Sequence, residues 1–398
     1  MTDYYNISEV AADLADTTIR FATKPGLADG DRITPGEELL AELGDIPPAA
    51  RVASFGCGNG ALVAALAARL RGGRISALDP SWIAVQIARR TLRLNGATNA
   101  EIIDGISFLP AGAKNFDRVL IQVPQSRVLL RRWLLEAQRM LVPGGRLYLA
   151  GPRDGGAQAA IDDAQALFGQ AAVIGYRKGW RVAEALAPLS TSSGEPAAAQ
   201  APMLPAWVEA PGIAPGSWIE LDLTTPFGRL QLVSLPGIFA AHKLDAGTAL
   251  LLEQLYIAPN TRVLDIGCGY GILGIAALRA GAVHADLVDV DLHAVTAATE
   301  NVRRMDLAAD VLVSDGLQAV ADRRYDLVVS NPPFHTGKTI DERMAHAFIA
   351  ESRKVLNTDG RLLLVANRFL PYQRVLAAHF SQIERIAETS AYHVLAAQ

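Results

Sequence analysis

From Arg51 onward, short apolar runs of about five residues alternate with longer amphipathic stretches, the pattern of buried strands joined by helices. Arg51 to Phe55 reads as a strand, Gly56-Cys57-Gly58-Asn59-Gly60 as a loop, and the next stretch as an apolar helix reaching Leu70. A second strand, Arg74 to Leu78, ends at Asp79, and a helix follows through Leu94. Further strands are predicted at Glu101 to Ile103, Asp117 to Ile121 and Arg146 to Ala150. This alternation predicts a mostly parallel sheet with helices on both faces. The first 50 residues are polar and turn-rich, and predict a lead-in with one or two helices. From Pro188 to Ser217 the chain is Pro, Ala, Ser and Gly without a period, which predicts a linker. A hairpin is expected next, from Trp218 to Leu223 and Arg229 to Ser234 around Pro226-Phe227-Gly228.

The first pattern then returns. Arg262 to Ile266 leads into Gly267-Cys268-Gly269-Tyr270-Gly271 and a helix, and the strand Ala285 to Val288 ends at Asp289. Val313-Ser314-Asp315-Gly316 echoes Ile103-Asp104-Gly105, and Leu356 to Val365 echoes Leu141 to Leu149. The chain is therefore expected to be a tandem duplication of one α/β domain, with residues 1–187 as the first copy, 188–216 as linker and 217–398 as the second copy. The copies differ where chemistry would sit. Asp265 has Ser54 as its counterpart, and Asn331-Pro332-Pro333-Phe334 has Gln122-Val123-Pro124-Gln125. The second copy is thus expected to carry the activity, and the first to be a non-catalytic relic that serves stability or substrate binding.

Composition narrows the class. The 398 residues are 50% hydrophobic and 20% charged, a globular balance with room for two domains. No run of eighteen uncharged apolar residues occurs, and the start lacks a signal-peptide pattern, so neither a membrane nor an export route is expected. Two cysteines far apart, Cys57 and Cys268, predict a reducing cytoplasm rather than a disulfide framework. Cys268 has no histidine placed to pair with it, and reads as a small packed residue of the loop. The net charge of −4 is not that of a protein gripping nucleic acid with its whole surface. Residues 1–194 nevertheless hold 21 basic against 19 acidic groups, while the remainder holds 16 against 22. Lys114 to Arg146 is the most basic stretch, with seven basic and two acidic residues.

The most informative stretch is Ser330-Asn331-Pro332-Pro333-Phe334, which ends the apolar run Tyr325 to Val329. Two prolines remove two backbone donors and leave the carbonyls as acceptors, and proline also fixes the residue before it in an extended conformation. A rigid cluster of acceptors beside an aromatic ring suits a flat amino group. The glycine loop adds a ligand. Gly269-x-Gly271-x-x-Gly274, with Asp289 beyond it, formally matches the dinucleotide fingerprint of a nicotinamide-dependent oxidoreductase. However, the loop opens on an acid, Asp265, which would repel a pyrophosphate and suit a cationic ammonium or sulfonium.

Together Asp265, Gly267, Gly269, Gly271, Asp289 and Asp315 resemble the class I S-adenosylmethionine-dependent methyltransferases, with two tandem Rossmann-like domains in this chain. The resemblance implies that the glycine loop takes the methionine part of S-adenosyl-L-methionine, Asp289 the ribose hydroxyls and Asp315 the adenine, with Asn331 lying against the cofactor as well. Within that class, Asn-Pro-Pro-aromatic resembles the enzymes that methylate a planar nitrogen: guanine N2, adenine N6 or a glutamine amide. Asn331, Pro332, Pro333 and Phe334 are then the implied catalytic residues. The Asn331 side chain and the Pro332 carbonyl would accept the two N–H groups, and Phe334 would stack on the base. No metal is required.

Leu235 to Phe239, Leu244-Asp245-x-Gly247, Phe334-His335 and Val365 to Tyr372 extend the likeness. This constellation is similar to the ribosomal RNA small-subunit guanine-N2 methyltransferases and their large-subunit relatives, which also carry a degenerate first domain. The resemblance implies a monomer acting on 16S ribosomal RNA or the small ribosomal subunit, with 23S RNA as the variant. A basic docking surface in the first domain is expected at Arg127, Arg131 and Arg132.

Overall fold

The computed structural model describes residues 3–108, 115–188, 204–332 and 342–398. The chain forms two compact units, one of residues 7–217 and one of residues 1–6 with 218–398.

The first unit opens with a hairpin, β1 (Ser8–Leu14) and β2 (Thr17–Thr23), followed by α1 (Pro35–Leu43). Strands and helices then alternate: β3 (Arg51–Phe55), α2 (Ala61–Arg69), β4 (Arg74–Leu78), α3 (Trp82–Leu94), β5 (Ala100–Ile102), β6 (Phe116–Gln122), α4 (Arg127–Met140) and β7 (Leu141–Pro152). After α5 (Ala157–Phe168) come β8 (Ala171–Arg177) and β9 (Trp180–Leu186). The seven-stranded sheet runs β5-β4-β3-β6-β7-β9-β8, parallel as far as β7, with β9 antiparallel to both of its neighbours.

The second unit repeats this plan. It begins with the hairpin β10 (Ile219–Thr225) and β11 (Gly228–Ser234), then α6 (Ala246–Glu253). There follow β12 (Arg262–Ile266), α7 (Ile272–Arg279), β13 (His284–Asp289), α8 (Leu292–Met305), β14 (Ala309–Val313), β15 (Tyr325–Ser330), α9 (Glu342–Val355), β16 (Leu356–Asn367), α10 (Tyr372–Ala377), β17 (Ile383–Glu388) and β18 (Tyr392–Ala397). Its sheet runs β14-β13-β12-β15-β16-β18-β17, the same order position for position. The expected duplicated α/β fold is therefore what the chain adopts.

Two expectations need correction. The lead-in holds an expected helix, α1, but opens with an unexpected hairpin. Its turn places Ala15 and Asp16 at φ 46° and 61°, the left-handed pair that a tight two-residue hairpin needs. Neither residue is the Asn or Gly that normally announces such a turn. The linker is also shorter than its composition suggests. Residues 204–217 pack onto the first unit, with Ile213 buried and Trp207 and Val208 half-buried against the core around α4. Residues before Ile7, in contrast, belong to the second unit.

Each hairpin is docked by one buried polar side chain from the helix after the second strand of its sheet. In the first unit the Thr91 hydroxyl on α3 accepts from Ala22 N at 3.0 Å. In the second, Asn301 on α8 is fully buried and exchanges hydrogen bonds with both Val233 N (2.7 Å) and Val233 O (2.8 Å), and its amide also reaches Tyr270 O. Asn301 thereby pairs β11 with the loop that follows β12. Asn301→Ala would leave three buried backbone groups without partners, which costs about 2–4 kcal/mol. Thermal or denaturant unfolding should show the transition of the second unit lowered, with that of the first unit unchanged.

Candidate active site

Parallel strands deliver their C-terminal ends to one edge of a sheet, where a ligand can be held. In the second unit four neighbouring strands end in polar side chains at that edge. In sheet order these are Asp315, just past β14; Asp289, the last residue of β13; Asp265, near the end of β12; and Asn331, the first residue after β15. Strands lie about 4.8 Å apart, so three intervals make a row on the order of 14 Å long.

The glycine loop is built onto the first three strands. Asp289 is half-buried, and its two oxygens accept from Gly269 N and Asp291 N, both at 2.9 Å. Gly269 sits at φ +56°, where a Cβ would meet only an ordinary 3.8 Å contact with Ile238, so the backbone turn rather than crowding demands glycine. Gly274 is different. A Cβ there would lie 2.8 Å from the Leu287 side chain, and its N–H donates to Asp265 Oδ2 at 2.9 Å. Glycine at this position lets α7 close onto β13 and lets the buried acid reach the helix backbone.

Asp265 is completely buried, and among the described residues its other oxygen has no hydrogen-bond partner. Burial first, and the nearby Asp289 second, push its pKa up to about 7. Burial and Asp291 push Asp289 up to about 6. Two carboxyls whose pKa is raised by burial, one with an orphaned oxygen, are suited to a ligand that brings positive charge. A sulfonium or ammonium fits this donor set. A pyrophosphate does not, which removes the physical basis for a dinucleotide in this loop.

Asn331 is held by the start of α6. Asp245 caps that helix, its carboxylate accepting from Thr248 N at 3.0 Å. The Asn331 amide nitrogen donates to Asp245 Oδ2 at 3.2 Å and to Thr248 Oγ1 at 2.9 Å. A carboxylate only accepts, so it dictates which end of the amide faces it. Both amide hydrogens are spent on α6, and the Asn331 carbonyl oxygen lies on the opposite edge of the amide as an acceptor. Ser330 is tied to Ile266 O at 2.8 Å, which anchors the preceding residue. Pro332 is buried, while Pro333 and Phe334 lie outside the described residues. The sequence singled out Asp245 only through its likeness to a family motif; its part in orienting Asn331 depends on a contact across 86 positions.

The chain matches the model of the methyltransferase small domain family twice, over residues 18–184 and 229–396. A ribosomal RNA small subunit methyltransferase C from Pseudomonas entomophila (strain L48) is 34% identical over 283 residues, covering 70% of this chain and 78% of the relative. The protein of the same name from Shewanella loihica (strain ATCC BAA-1088 / PV-4) is 31% identical over 306 residues, 76% of this chain and 83% of the relative. The chain belongs to the ribosomal RNA small subunit methyltransferase C family. Among solved structures, the T. thermophilus 16S rRNA N2 G1207 methyltransferase in complex with AdoMet and guanosine is similar along the whole chain, with 28% identity and a TM-score of 0.78, covering 100% of this chain and 98% of that one.

In this member of the small subunit methyltransferase C family, the first unit keeps part of the same machinery. Asp79 accepts from Gly58 N at 3.0 Å and Ser81 N at 2.9 Å, repeating the contacts of Asp289. Gln122, in the place of Asn331, donates to Glu37 at the start of α1, as Asn331 donates to the start of α6. The rest has diverged. Buried Ser54 replaces Asp265, and Asp104, in the place of Asp315, pairs with Arg89 at 2.8 Å. Both cysteines are buried, and burial followed by the neighbouring Asp289 or Asp79 raises their thiol pKa well above the usual range, so neither is a nucleophile.

The docking surface expected at Arg127, Arg131 and Arg132 is corrected at Arg132, which is buried, while Arg127 keeps half of its side chain exposed. Arg132 is 4% exposed and donates to the carbonyls of Gly212 and Ser217, holding residues 204–217 in place. Arg127 and Arg131 both grip buried Asp163, at 2.8 and 3.0 Å, and Arg131 also lies over the Trp207 ring. A run of basic residues along α4 is thus largely spent on internal contacts.

The buried acid has a pH signature. Because the folded-state pKa of Asp265 is raised, the folded protein holds more protons there than the unfolded chain between pH 4 and 7, and this group's contribution to stability falls as pH rises through that window. Asp265→Asn removes the titration. The thermal midpoint of the ligand-free variant, relative to that of the parent, should therefore climb from pH 4 to 7. A difference that stays flat across the window would contradict a raised pKa.

Proposed function

We propose that the second unit transfers the methyl group of S-adenosylmethionine to the exocyclic N2 amine of a guanine in 16S ribosomal RNA. The observation that carries this reading is the orientation of Asn331. An exocyclic amine is a poor nucleophile because its lone pair is delocalised into the ring. An amide whose hydrogens are tied to Asp245 and Thr248 presents only its oxygen to such an amine. With the Pro332 carbonyl, it accepts both N–H groups and turns the lone pair toward the methyl. When bound, the cofactor supplies that methyl on a sulfonium. Asp265 and the glycine loop hold its methionine end, Asp289 its ribose and Asp315 its adenine. The nitrogen–methyl bond would form as the sulfur–methyl bond breaks, leaving S-adenosylhomocysteine, and the alkylated nitrogen would then release one proton to solvent; with no covalent intermediate, positioning supplies most of the rate.

The same acceptor pair would serve adenine N6, a glutamine amide or a guanine of 23S RNA, so the substrate is argued from kinship. The relatives carry small-subunit RNA methylation in their names, and the T. thermophilus structure, similar over the full chain, is that of an enzyme named for guanine N2 at position 1207. The equivalent guanine is the candidate target. Among the described residues no helix is long and apolar enough to cross a membrane, and we place the enzyme in the cytoplasm as a monomer acting on ribosomal RNA or the small subunit. A base inside a helix would have to leave the stack to reach Asn331, so an unpaired or flipped guanine is expected.

Asn331→Ala should lower kcat at least a hundredfold and leave the affinity for S-adenosylhomocysteine within about threefold of the parent, a loss of transition-state positioning rather than of cofactor binding. Asn331→Asp should be as inactive, because a carboxylate cannot donate to Asp245. Modification mapping of 16S RNA from cells with and without the gene tests the substrate. Loss of 2-methylguanosine at one small-subunit site is expected, and loss of N6-methyladenosine or of a 23S mark would replace the proposal.

A further inference from the structure

The second unit contains a piece of chain that comes from before the first. Residues Asp3–Tyr5 form one turn that belongs to it, and Tyr4 there is 1% exposed, packed among Leu317, Val320 and Phe348. The Tyr4 ring meets Tyr5 edge-on at 4.9 Å and Phe348 at 6.1 Å. Its hydroxyl donates to Asp315 Oδ1 at 2.8 Å. Tyr5 donates to Glu351 Oε2 on α9 at 2.6 Å, and burial together with that acid raises its pKa, so it stays a donor. The fit extends to the backbone. Gly316, at φ +62°, passes so close that a Cβ there would lie 2.3 Å from the Tyr5 hydroxyl.

We propose that Tyr4 is a positioning residue for the cofactor site: it fixes the carboxylate of Asp315 so that the second unit recognises the amino group of an adenine. The inference rests on the reading of Asp315 as the adenine-binding acid. Asp315 follows β14 on a short loop and is only partly buried, and the Tyr4 hydroxyl takes one of its carboxylate oxygens. A tyrosine hydroxyl engaging one oxygen takes up a single rotamer and keeps the group an acceptor, because the phenol supplies the hydrogen. An acceptor held in place favours a purine bearing an exocyclic amino group over one bearing a carbonyl. Tyr4 acts through Asp315 and touches no reacting atom.

The test compares the full chain with Tyr4→Phe, Asp315→Ala and the double variant. Tyr4→Phe keeps the ring and its packing and removes only the hydroxyl. Calorimetric titration would use S-adenosylhomocysteine and S-inosylhomocysteine, which differ in the amino group at issue. Wild type should prefer the adenine form. Tyr4→Phe should weaken S-adenosylhomocysteine about three- to tenfold, leave S-inosylhomocysteine unchanged, raise the KM for S-adenosylmethionine in proportion and spare kcat at saturation. In the double variant the Tyr4 effect should vanish, because the residue it orients is gone. If Asp315→Ala leaves the adenine preference intact, the reading of Asp315 fails and this inference with it. If Asp315→Ala abolishes the preference while Tyr4→Phe retains it, Asp315 reads adenine unaided and Tyr4 is only a tether. A loss of kcat and of both affinities together in Tyr4→Phe would mean damage to the fold, and would also overturn the proposal.

Discussion

One carboxylate that can only accept hydrogen bonds sets the direction of the amide at the end of β15. Asp245 has two duties, capping the start of α6 and holding the amide nitrogen of Asn331, and they reinforce each other. Helix N-termini favour acidic caps, and a carboxylate, which only accepts, leaves Asn331 one way to face. A neutral cap such as serine would cap the helix nearly as well but would let the amide turn over. The choice of Asp at a cap thus reaches into the chemistry.

The duplicate in the first unit separates architecture from activity. A side-chain amide reaches the start of the helix that precedes the sheet in both units, α1 through Gln122 and α6 through Asn331. The amide contacts of the acid ending the second sheet strand are also shared, by Asp79 and Asp289. These features belong to the fold. What the first unit lacks is the buried acid of the glycine loop and the proline pair. Its acid after the third strand is bound to an arginine of its own. A domain can evidently keep its sheet order and loop geometry long after the groups that met a ligand have changed.

Much of this was legible in the sequence because it is local. The strands, the glycine loops and the acids at strand ends announce themselves within a few positions, and the repeat confirmed them by appearing twice. What escaped had partners far away. Nothing around Arg132 reveals that Gly212 and Ser217 will cover it, and Asp163 lies 36 and 32 positions from the two arginines it neutralises. Charge clustering alone could not separate an RNA surface from an internal network. The β1–β2 hairpin was missed because Ala15 and Asp16 make its turn without a recognisable signature, although the hairpin expected in the second copy was a usable template for it. The Pro-rich composition after residue 188 hid the apolar anchors Trp207, Val208 and Ile213 that bind its last part to the first unit.

The turn at Tyr4 also bears on how the chain is made. Its partner Asp315 is 311 positions away. At a synthesis rate of about 5–20 residues per second, the interval between the two is roughly 15–60 s. Throughout that time two neighbouring tyrosines leave the ribosome with no place to bury their rings, while the whole first unit can emerge and fold. The second unit therefore closes on a segment made before the whole of the first unit, and that contact can form only once Asp315 has emerged.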